Sequence, residues 1–136
     1  MTSTLFDVAD IKVDESWPED IKAEIFTNQR NGRVGHELVS DTDDVRGWRI
    51  ARAPGERVGF HCHMLNYFRV AINPGRSVSH YAPGETKVAD YEPGTTRHFE
   101  FKENEFMLHD LTNIGDTELM FTTVEFKNSP NPPLPV

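Results

Sequence analysis

The feature that most constrains the fold is a series of short runs rich in Ile, Val, Phe, Tyr and Thr, which begins near residue 23. Four Pro-Gly pairs punctuate the series, at Pro54-Gly55, Pro74-Gly75, Pro83-Gly84 and Pro93-Gly94. In such a pair proline fixes φ and glycine accepts a positive φ, so the chain can reverse direction. No segment has the period of a long amphipathic helix. The sequence therefore predicts an all-β protein, an antiparallel sandwich or barrel.

The turn residues divide the chain into an arm (1–22), a barrel (23–127) and a tail (128–136) that contains four prolines. We expect a short helical turn near residues 19–22, a hairpin at Asn31-Gly32 and a turn at 113–117. The arm and the tail are expected to be extended and to lie on the surface or on a neighbouring subunit. Strands are predicted over 23–28, 33–40, 45–53, 57–64, 67–73, 76–82, 86–91, 96–102, 105–112 and 118–127.

Composition and charge limit the classes of function. A chain of 136 residues is the size of one domain with a single core. Its 22 acidic and 14 basic residues give a net charge of −8, which argues against binding to nucleic acid or to an anionic membrane surface. The sequence contains no apolar run long enough to span a bilayer and no secretory leader pattern. The single cysteine, Cys62, excludes an internal disulfide, and we expect a cytoplasmic protein.

Two histidines, His61 and His63, lie two residues apart in the run GFHCHMLNYF. Its aromatic composition is typical of a β-strand, in which residues two apart point to the same face. Two imidazoles on one face are part of a divalent transition-metal site, so a third ligand is expected later in the chain. Cys62 points to the opposite face, where we expect a small buried residue rather than a redox group.

The spacing around these histidines resembles the first motif of the cupin family, G-x5-H-x-H-x3,4-E-x6-G, which runs here from Gly55 to Gly75. His109 precedes Asn113 by four residues, as in the end of the second cupin motif. The similarity covers roughly residues 45–127. Residues 96–99, 108–111 and 121–126 resemble most closely the small single-domain cupins named after β-alanine degradation (BauB-like).

This resemblance implies a single-domain, cupin-type antiparallel jelly-roll barrel (a double-stranded β-helix) that is usually a homodimer. It implies that His61, His63 and His109 converge inside the barrel and bind a divalent transition metal, either Fe, Mn, Ni or Zn. His98 is a rival third ligand, or a residue that supports the ligands. His109 is favoured because it shares a strand face with apolar neighbours, whereas phenylalanines on both sides of His98 turn it away from the core.

The chain departs from the first motif where the family has a glutamate. Tyr67 and Phe68 stand at the two places that the motif allows, and neither is a carboxylate. Several cupin enzymes work with three histidines alone, so the resemblance still implies a metal site. A bulge of one residue would shift the register, and the sequence leaves open which of the two aromatic residues takes the place of the glutamate.

Three residues are candidates for binding a substrate. Tyr67 lies at an even offset from His63 and would offer its phenol on the same face. Arg69 continues this alternation, and Arg97 lies on another candidate strand; either would anchor a carboxylate through a bidentate pair. No general base is identified, and three carboxylates are open candidates: Glu56, Asp90 and Asp110.

The leading hypothesis is a metal-dependent enzyme that acts on a small polar metabolite. The resemblance to the cupins of β-alanine degradation suggests a three-carbon amino or oxo acid. The second is a non-catalytic cupin that binds a small molecule or serves as an auxiliary subunit, with weak or no metal. The third is a structural domain, which would close the barrel mouth with aromatic side chains and leave no pocket beside His61 and His63. The sequence does not decide among oxygenase, isomerase and lyase chemistry.

Overall fold

The structure is a computed structural model that describes residues 11–136. In this part of the chain one helix, α1 (Glu19–Thr27), precedes nine strands. The strands are β1 (Glu37–Asp41), β2 (Val45–Arg52), β3 (Arg57–His63), β4 (Tyr67–Ala71), β5 (Gly75–Tyr81), β6 (Glu85–Tyr91), β7 (Thr96–Phe99), β8 (Met107–Asn113) and β9 (Leu119–Phe126). Within the described range, none of the helical structure is long and apolar enough to cross a membrane.

The strands form two antiparallel sheets, of order β1-β2-β9-β4-β7 and β3-β8-β5-β6. Side chains from both sheets meet in an inner core, which confirms the predicted all-β antiparallel architecture. The buried members of this core are Ile50, Val58, Ala71, Tyr91, Leu111, Leu119 and Phe121. The inner core therefore holds the two sheets together as the wall of a barrel.

A second apolar cluster, the outer core, contains residues from the segment before α1, from α1 itself, from β3 and β8, and from the tail. Its buried members are Ile11, Trp17, Ile25, Phe60, Cys62, Met64, Ala82, Leu108 and Leu134. Strand β3 is consequently buried on both faces, because Val58 belongs to the inner core while Phe60 and Cys62 belong to the outer one. Cys62 is buried there, as its place on the face opposite the histidines predicts.

The predicted strand over residues 23–28 is wrong, because most of these residues continue α1. The expected helical turn at 19–22 is the first turn of this helix, where Glu19 and Asp20 place negative charge at the positive end of the helix dipole. Ile25 is fully buried in the outer core. A short apolar run does not distinguish helix from strand, and here packing against the barrel selects the helix.

The predicted hairpin at Asn31-Gly32 is also wrong. Asn31 donates its side-chain amide to the carbonyl of Phe60 at 3.0 Å, and Gly32 lies against the tail. A Cβ atom on Gly32 would come within 2.6 Å of the carbonyl oxygen of Pro135, so glycine is required there for close approach. The tail packs on its own chain, and Leu134 is buried.

Three of the four Pro-Gly pairs are turns of the predicted kind, with φ of +85° at Gly55, +92° at Gly84 and +82° at Gly94. Gly75 differs, because it begins β5 and a Cβ there would lie 2.5 Å from Leu119 Cδ2. The described part of the arm packs on its own barrel, with Trp17 buried and its indole N–H donated to Thr86 Oγ1 at 2.9 Å. Residues 1–10 of the expected arm lie outside the described residues.

Candidate metal centre

A bulge in β3 turns His61 and His63 toward the barrel interior. Val58 pairs with Leu111 of β8, but His61 pairs with His109, so β3 has one residue more than its partner between these two pairs. The extra residue keeps both Val58 and the two histidines on the inner face. The predicted alternation along β8 brings His109 to the same place.

Side chains from outside the sheet stabilise this bulge. Glu24 of α1 accepts the backbone N–H of Phe60 at 2.9 Å, and the side-chain amides of Asn28 and Asn31 donate to the Phe60 carbonyl at 3.2 and 3.0 Å. Because β3 is an edge strand of the sheet within residues 11–136, these contacts satisfy backbone groups that have no strand beside them in that part of the chain. Gly59 fits against the Glu24 carboxylate, whose Oε2 would lie 3.3 Å from a Cβ at that position.

The three inward histidines form one compact cluster. The ring centroid of His61 lies 5.1 Å from that of His63 and 4.6 Å from that of His109, and the His63 and His109 centroids are 5.2 Å apart. One ring nitrogen from each residue lies within 4.8 Å of the others. His61 and His63 are 2% and 3% exposed, and His109 is half-buried. Three imidazoles from two strands therefore converge on one point.

Burial keeps these imidazoles neutral. Desolvation lowers the pKa of His61 to about 4, and the pKa values of His63 and His109 lie well below the usual value for the same reason. The positive charge of Arg69 lowers both of the latter further. A neutral imidazole presents a lone pair, which is the form that binds a metal ion.

The hydrogen bonds around the cluster also fit a metal site. His61 donates Nδ1–H to the carbonyl of Gly59 at 2.8 Å, which leaves Nε2 with its lone pair. In contrast, Nδ1 of His63 and both ring nitrogens of His109 are buried and have no hydrogen-bond partner among the described residues. Buried polar atoms are rarely left unpaired, because each one loses its hydration. A cation bound by one ring nitrogen from each histidine would supply a partner for one nitrogen of His109 and could supply one for Nδ1 of His63.

Tyr67 takes the inward place that the motif assigns to a glutamate. Its ring stacks on His63 with centroids 4.2 Å apart and planes 15° from parallel, and it is 3% exposed. Phe68 points the other way and packs against Phe126, with ring centroids 5.9 Å apart. His98 lies outside the histidine cluster: it is exposed on β7, where its ring is 5.4 Å from that of Phe68.

A cavity of about 170 Å³ opens beside the cluster, and all three histidines line it. Tyr67, Arg69 and Arg97 line it as well, so the structure brings the three predicted substrate-binding residues together around the same space. Inner-core side chains such as Ile50 and Phe121 form its apolar wall. Among the described residues that line this cavity there is no aspartate or glutamate.

The three open candidates for a general base lie elsewhere. Glu56 is exposed and accepts the backbone N–H of Ala53, and Asp90 is exposed in an ion pair with Arg76 at 2.7 Å. Asp110 is fully buried, but it faces away from the cavity and accepts hydrogen bonds from Arg57 and His80. None of the three carboxylates lines the cavity.

The sequence analysis did not identify two inward-facing residues, Tyr81 and Glu125. Tyr81 stacks on His109 with centroids 5.0 Å apart, and alternation along β5 would have placed it inside. Glu125 is 3% exposed and accepts the indole N–H of Trp48 at 2.7 Å. Desolvation raises the pKa of Glu125 to about 7. The sequence shows which residues of β9 alternate toward the interior. It does not indicate that the carboxylate of Glu125 is buried there.

Comparison with known proteins identifies the fold. No protein-family model matches the sequence, and a search of curated proteins returned no match. A cupin domain from Bordetella pertussis Tohama I superposes with a TM-score of 0.59 at 23% identity, covering 67% of this chain and 90% of that one. An RmlC-like cupin with a double-stranded β-helix fold from Methanocaldococcus jannaschii gives a TM-score of 0.53 at 20% identity, covering 66% and 76%.

A third solved structure matches over more of the chain. It is a conserved protein with a double-stranded β-helix domain from Klebsiella pneumoniae subsp. pneumoniae MGH 78578, with a TM-score of 0.54 at 16% identity over 96% of this chain and 95% of that one. At these identities the similarity is one of fold. The chain therefore has the cupin-type double-stranded β-helix fold, with a three-histidine cluster in its barrel.

Proposed function

We propose that this protein is a metal-dependent cupin in which His61, His63 and His109 bind a divalent transition metal beside the cavity, where a small polar metabolite is bound. The observation that carries the proposal is the convergence of three neutral imidazoles, two of which, His63 and His109, have buried ring nitrogens without a hydrogen-bond partner among the described residues. Structural proteins gain nothing from such unpaired nitrogens, whereas a metal site needs them.

Tyrosines and an arginine of the chain have separate roles around the proposed metal. A bound metal ion would act as a Lewis acid or, if it is iron, support oxygen chemistry. Tyr67 holds the His63 ring by stacking, and Tyr81 does the same for His109 on the other side. Arg69 lines the cavity and supplies positive charge for a carboxylate of the substrate.

The reaction and the substrate are proposed at the level of class. The resemblance to cupins of β-alanine degradation suggests a three-carbon amino or oxo acid, and oxygenase, isomerase and lyase reactions remain hypotheses of equal standing. The second candidate is a non-catalytic cupin that binds a small molecule. It is favoured by one observation, the presence of Tyr67 where metal-binding cupins with four ligands have an acid. The cavity beside His61 and His63 argues against the third hypothesis, a purely structural domain.

Elemental analysis of protein purified without a metal-binding tag tests the proposal. We expect a stoichiometric transition metal in the wild type and in His98→Ala, and its loss in the His61→Ala, His63→Ala double variant. His98→Ala is a matched control, because it removes an exposed imidazole outside the cluster. Iron would direct assays toward oxygenation, and zinc, nickel or manganese toward hydrolysis, isomerisation or lyase chemistry. A wild type that contains no metal and takes up none from Fe(II), Mn, Ni or Zn solutions would overturn the proposal.

We also propose a homodimer in the cytoplasm with no nucleic-acid or membrane partner. Strand β6 is an edge of the second sheet, and Val88 on it is 60% exposed. An exposed edge offers unpaired backbone groups to a second copy of the chain. Sedimentation velocity should then give twice the 15.5 kDa mass of one chain; a mass of 15.5 kDa at micromolar concentration would contradict the homodimer.

A further inference from the structure

Two arginines stand directly opposite each other on neighbouring strands of the barrel. Arg69 of β4 pairs in register with Arg97 of β7, and both side chains line the cavity beside the histidine cluster. Like charges that face each other across two strands are destabilising unless an opposite charge lies between or beside them. A negatively charged partner between or beside them would relieve this repulsion.

The protein does not supply that partner in the part of the chain that the structure describes. Neither Arg69 nor Arg97 forms an ion pair there, whereas Arg49, Arg57 and Arg76 all do. One terminal nitrogen of Arg69, Nη1, is buried and has no hydrogen-bond partner among the described residues. The absence of acidic residues from the cavity lining is unexpected in a chain of net charge −8.

Aromatic rings hold the two guanidinium groups in place. The Arg69 guanidinium lies 5.0 Å from the ring centroid of Tyr91 and 5.6 Å from that of Phe121, and the Arg97 guanidinium lies 4.8 Å from that of Phe99. Contacts of this kind use the face of the guanidinium and leave its N–H groups free for a planar acceptor. The third cation of the cavity, Lys87, differs because it pairs with Glu85 at 3.2 Å.

We propose that Arg69 and Arg97 together form a carboxylate-binding site in the cavity, beside the histidine cluster. The ligand class is a small organic acid whose carboxylate accepts hydrogen bonds from Arg69 in the interior, with Arg97 at the mouth. The inference rests on the proposed function for the statement that this acid is the substrate. Binding of the acid to the two arginines does not depend on the proposed function, because neither arginine is one of the three histidine ligands.

Arg69 also lies within electrostatic reach of the histidines. Its charge is among the causes that lower the pKa of His63 and of His109, so the two groups of residues share one environment. A carboxylate at the arginine pair would neutralise this charge and place the rest of the acid toward the rings. The same anion would remove the repulsion between Arg69 and Arg97.

Calorimetric titration of chelator-treated, metal-free protein tests the site with two probes of nearly equal size. Malonate carries two carboxylates, and malonamide is its uncharged diamide. We expect malonate to bind and malonamide not to bind. Arg69→Met and Arg97→Met should each weaken malonate binding by about tenfold or more, because each removes a charge-assisted pair. The control Arg49→Met removes an exposed arginine of β2 that pairs with Glu37, and it should bind malonate as the wild type does.

Three outcomes would overturn the proposal: equal affinity for malonate and malonamide, unchanged malonate affinity in both Met variants that keep wild-type circular dichroism, or binding of inorganic phosphate with no binding of malonate. Arg69→Lys keeps the charge and loses the planar fork; it should bind malonate more weakly than wild type and more tightly than Arg69→Met. Malonate binding is measured on metal-free protein, so a failure to bind malonate does not affect the conclusion from elemental analysis. A failure to take up metal likewise does not affect the conclusion about malonate binding.

Discussion

The carboxylate of Glu24 accepts the backbone N–H of Phe60 at 2.9 Å and thereby connects helix α1 to the bulge of strand β3. The same carboxylate forms a bidentate pair with Arg57, at 2.9 and 2.7 Å. The bulge carries the Gly59 carbonyl, which orients the His61 ring. A residue in a helix outside the barrel thus positions a candidate ligand inside it.

Replacing Glu24 should therefore affect both stability and metal binding. We expect Glu24→Ala to lower the free energy of unfolding by about 1–3 kcal/mol, because it leaves Arg57 and the Phe60 N–H with fewer partners. Metal affinity should fall by about tenfold, the usual effect of disturbing the partner of a ligating histidine. Chemical denaturation and Zn²⁺ titration measure the two effects. Glu19→Ala is the control, since the Glu19 side chain is 91% exposed; metal affinity in Glu24→Ala equal to that of the control would contradict this role.

Tyr67 occupies the place of the glutamate in the first cupin motif, and the substitution Tyr67→Glu tests this assignment. A carboxylate at a site that is 3% exposed should destabilise the metal-free protein by about 3 kcal/mol or more. Zn²⁺ should then stabilise Tyr67→Glu by a larger amount than it stabilises wild type, because a fourth ligand raises the affinity. Thermal unfolding with and without Zn²⁺ measures both the destabilisation of the metal-free variant and the stabilisation by Zn²⁺. Tyr67→Phe keeps the stacked ring and serves as the control; an equal Zn²⁺ effect in the two variants would refute the assignment.

Glu125 should make stability depend on pH. Burial raises the pKa of Glu125 to about 7 in the folded protein, from an ordinary value of 4.5. The folded state therefore favours the protonated carboxyl, and its contribution is lost as the pH rises from 4.5 through 7. The difference in unfolding free energy between wild type and Glu125→Gln should change by on the order of 3 kcal/mol between pH 4.5 and 8, in favour of the variant at high pH. Urea denaturation at several pH values measures this difference, and a difference independent of pH would disprove the shift.

Leu134 connects the tail to the outer core, although the tail contains no strand. We expect Leu134→Ala to cost about 2–3 kcal/mol of unfolding free energy, since it opens a cavity in the outer core, to which Leu134 belongs. Val136→Ala is the matched control in the same segment, where the side chain is 48% exposed, and it should change stability by less than about 0.5 kcal/mol. Equal effects of the two variants would show that the tail does not contribute to this core.

Cys62 should be chemically inert in the folded protein. Burial raises the pKa of its thiol to about 12, and only the thiolate reacts with disulfide reagents. We expect the thiol of native protein to react with an aromatic disulfide at pH 8 at least about a hundredfold more slowly than that of urea-unfolded protein. The time course of thiolate release measures both rates, and comparable rates would restore a redox role for Cys62.

The sequence by itself determined the features that depend on neighbouring residues. Pro-Gly pairs marked the turns at Gly55, Gly84 and Gly94 because a positive φ is a local requirement. Nine of the ten predicted strands are present, with ends that differ by a few residues. Alternation placed His61 and His63 on one face of β3, and His109 on the inner face of β8, since side-chain direction in a strand is fixed by residue parity.

Only the tertiary structure decided the features that depend on residues distant in sequence. The bulge in β3, stabilised by Glu24, kept His61 and His63 on the same face as Val58, and the tertiary structure placed Tyr67 rather than Phe68 beside His63. Packing in the outer core made residues 23–27 helical, although their local pattern allowed a strand. The register of β4 against β7 brought Arg69 opposite Arg97. Each of these results comes from a contact between segments that are far apart in the chain, and the free energy of such a contact is not encoded in either segment alone.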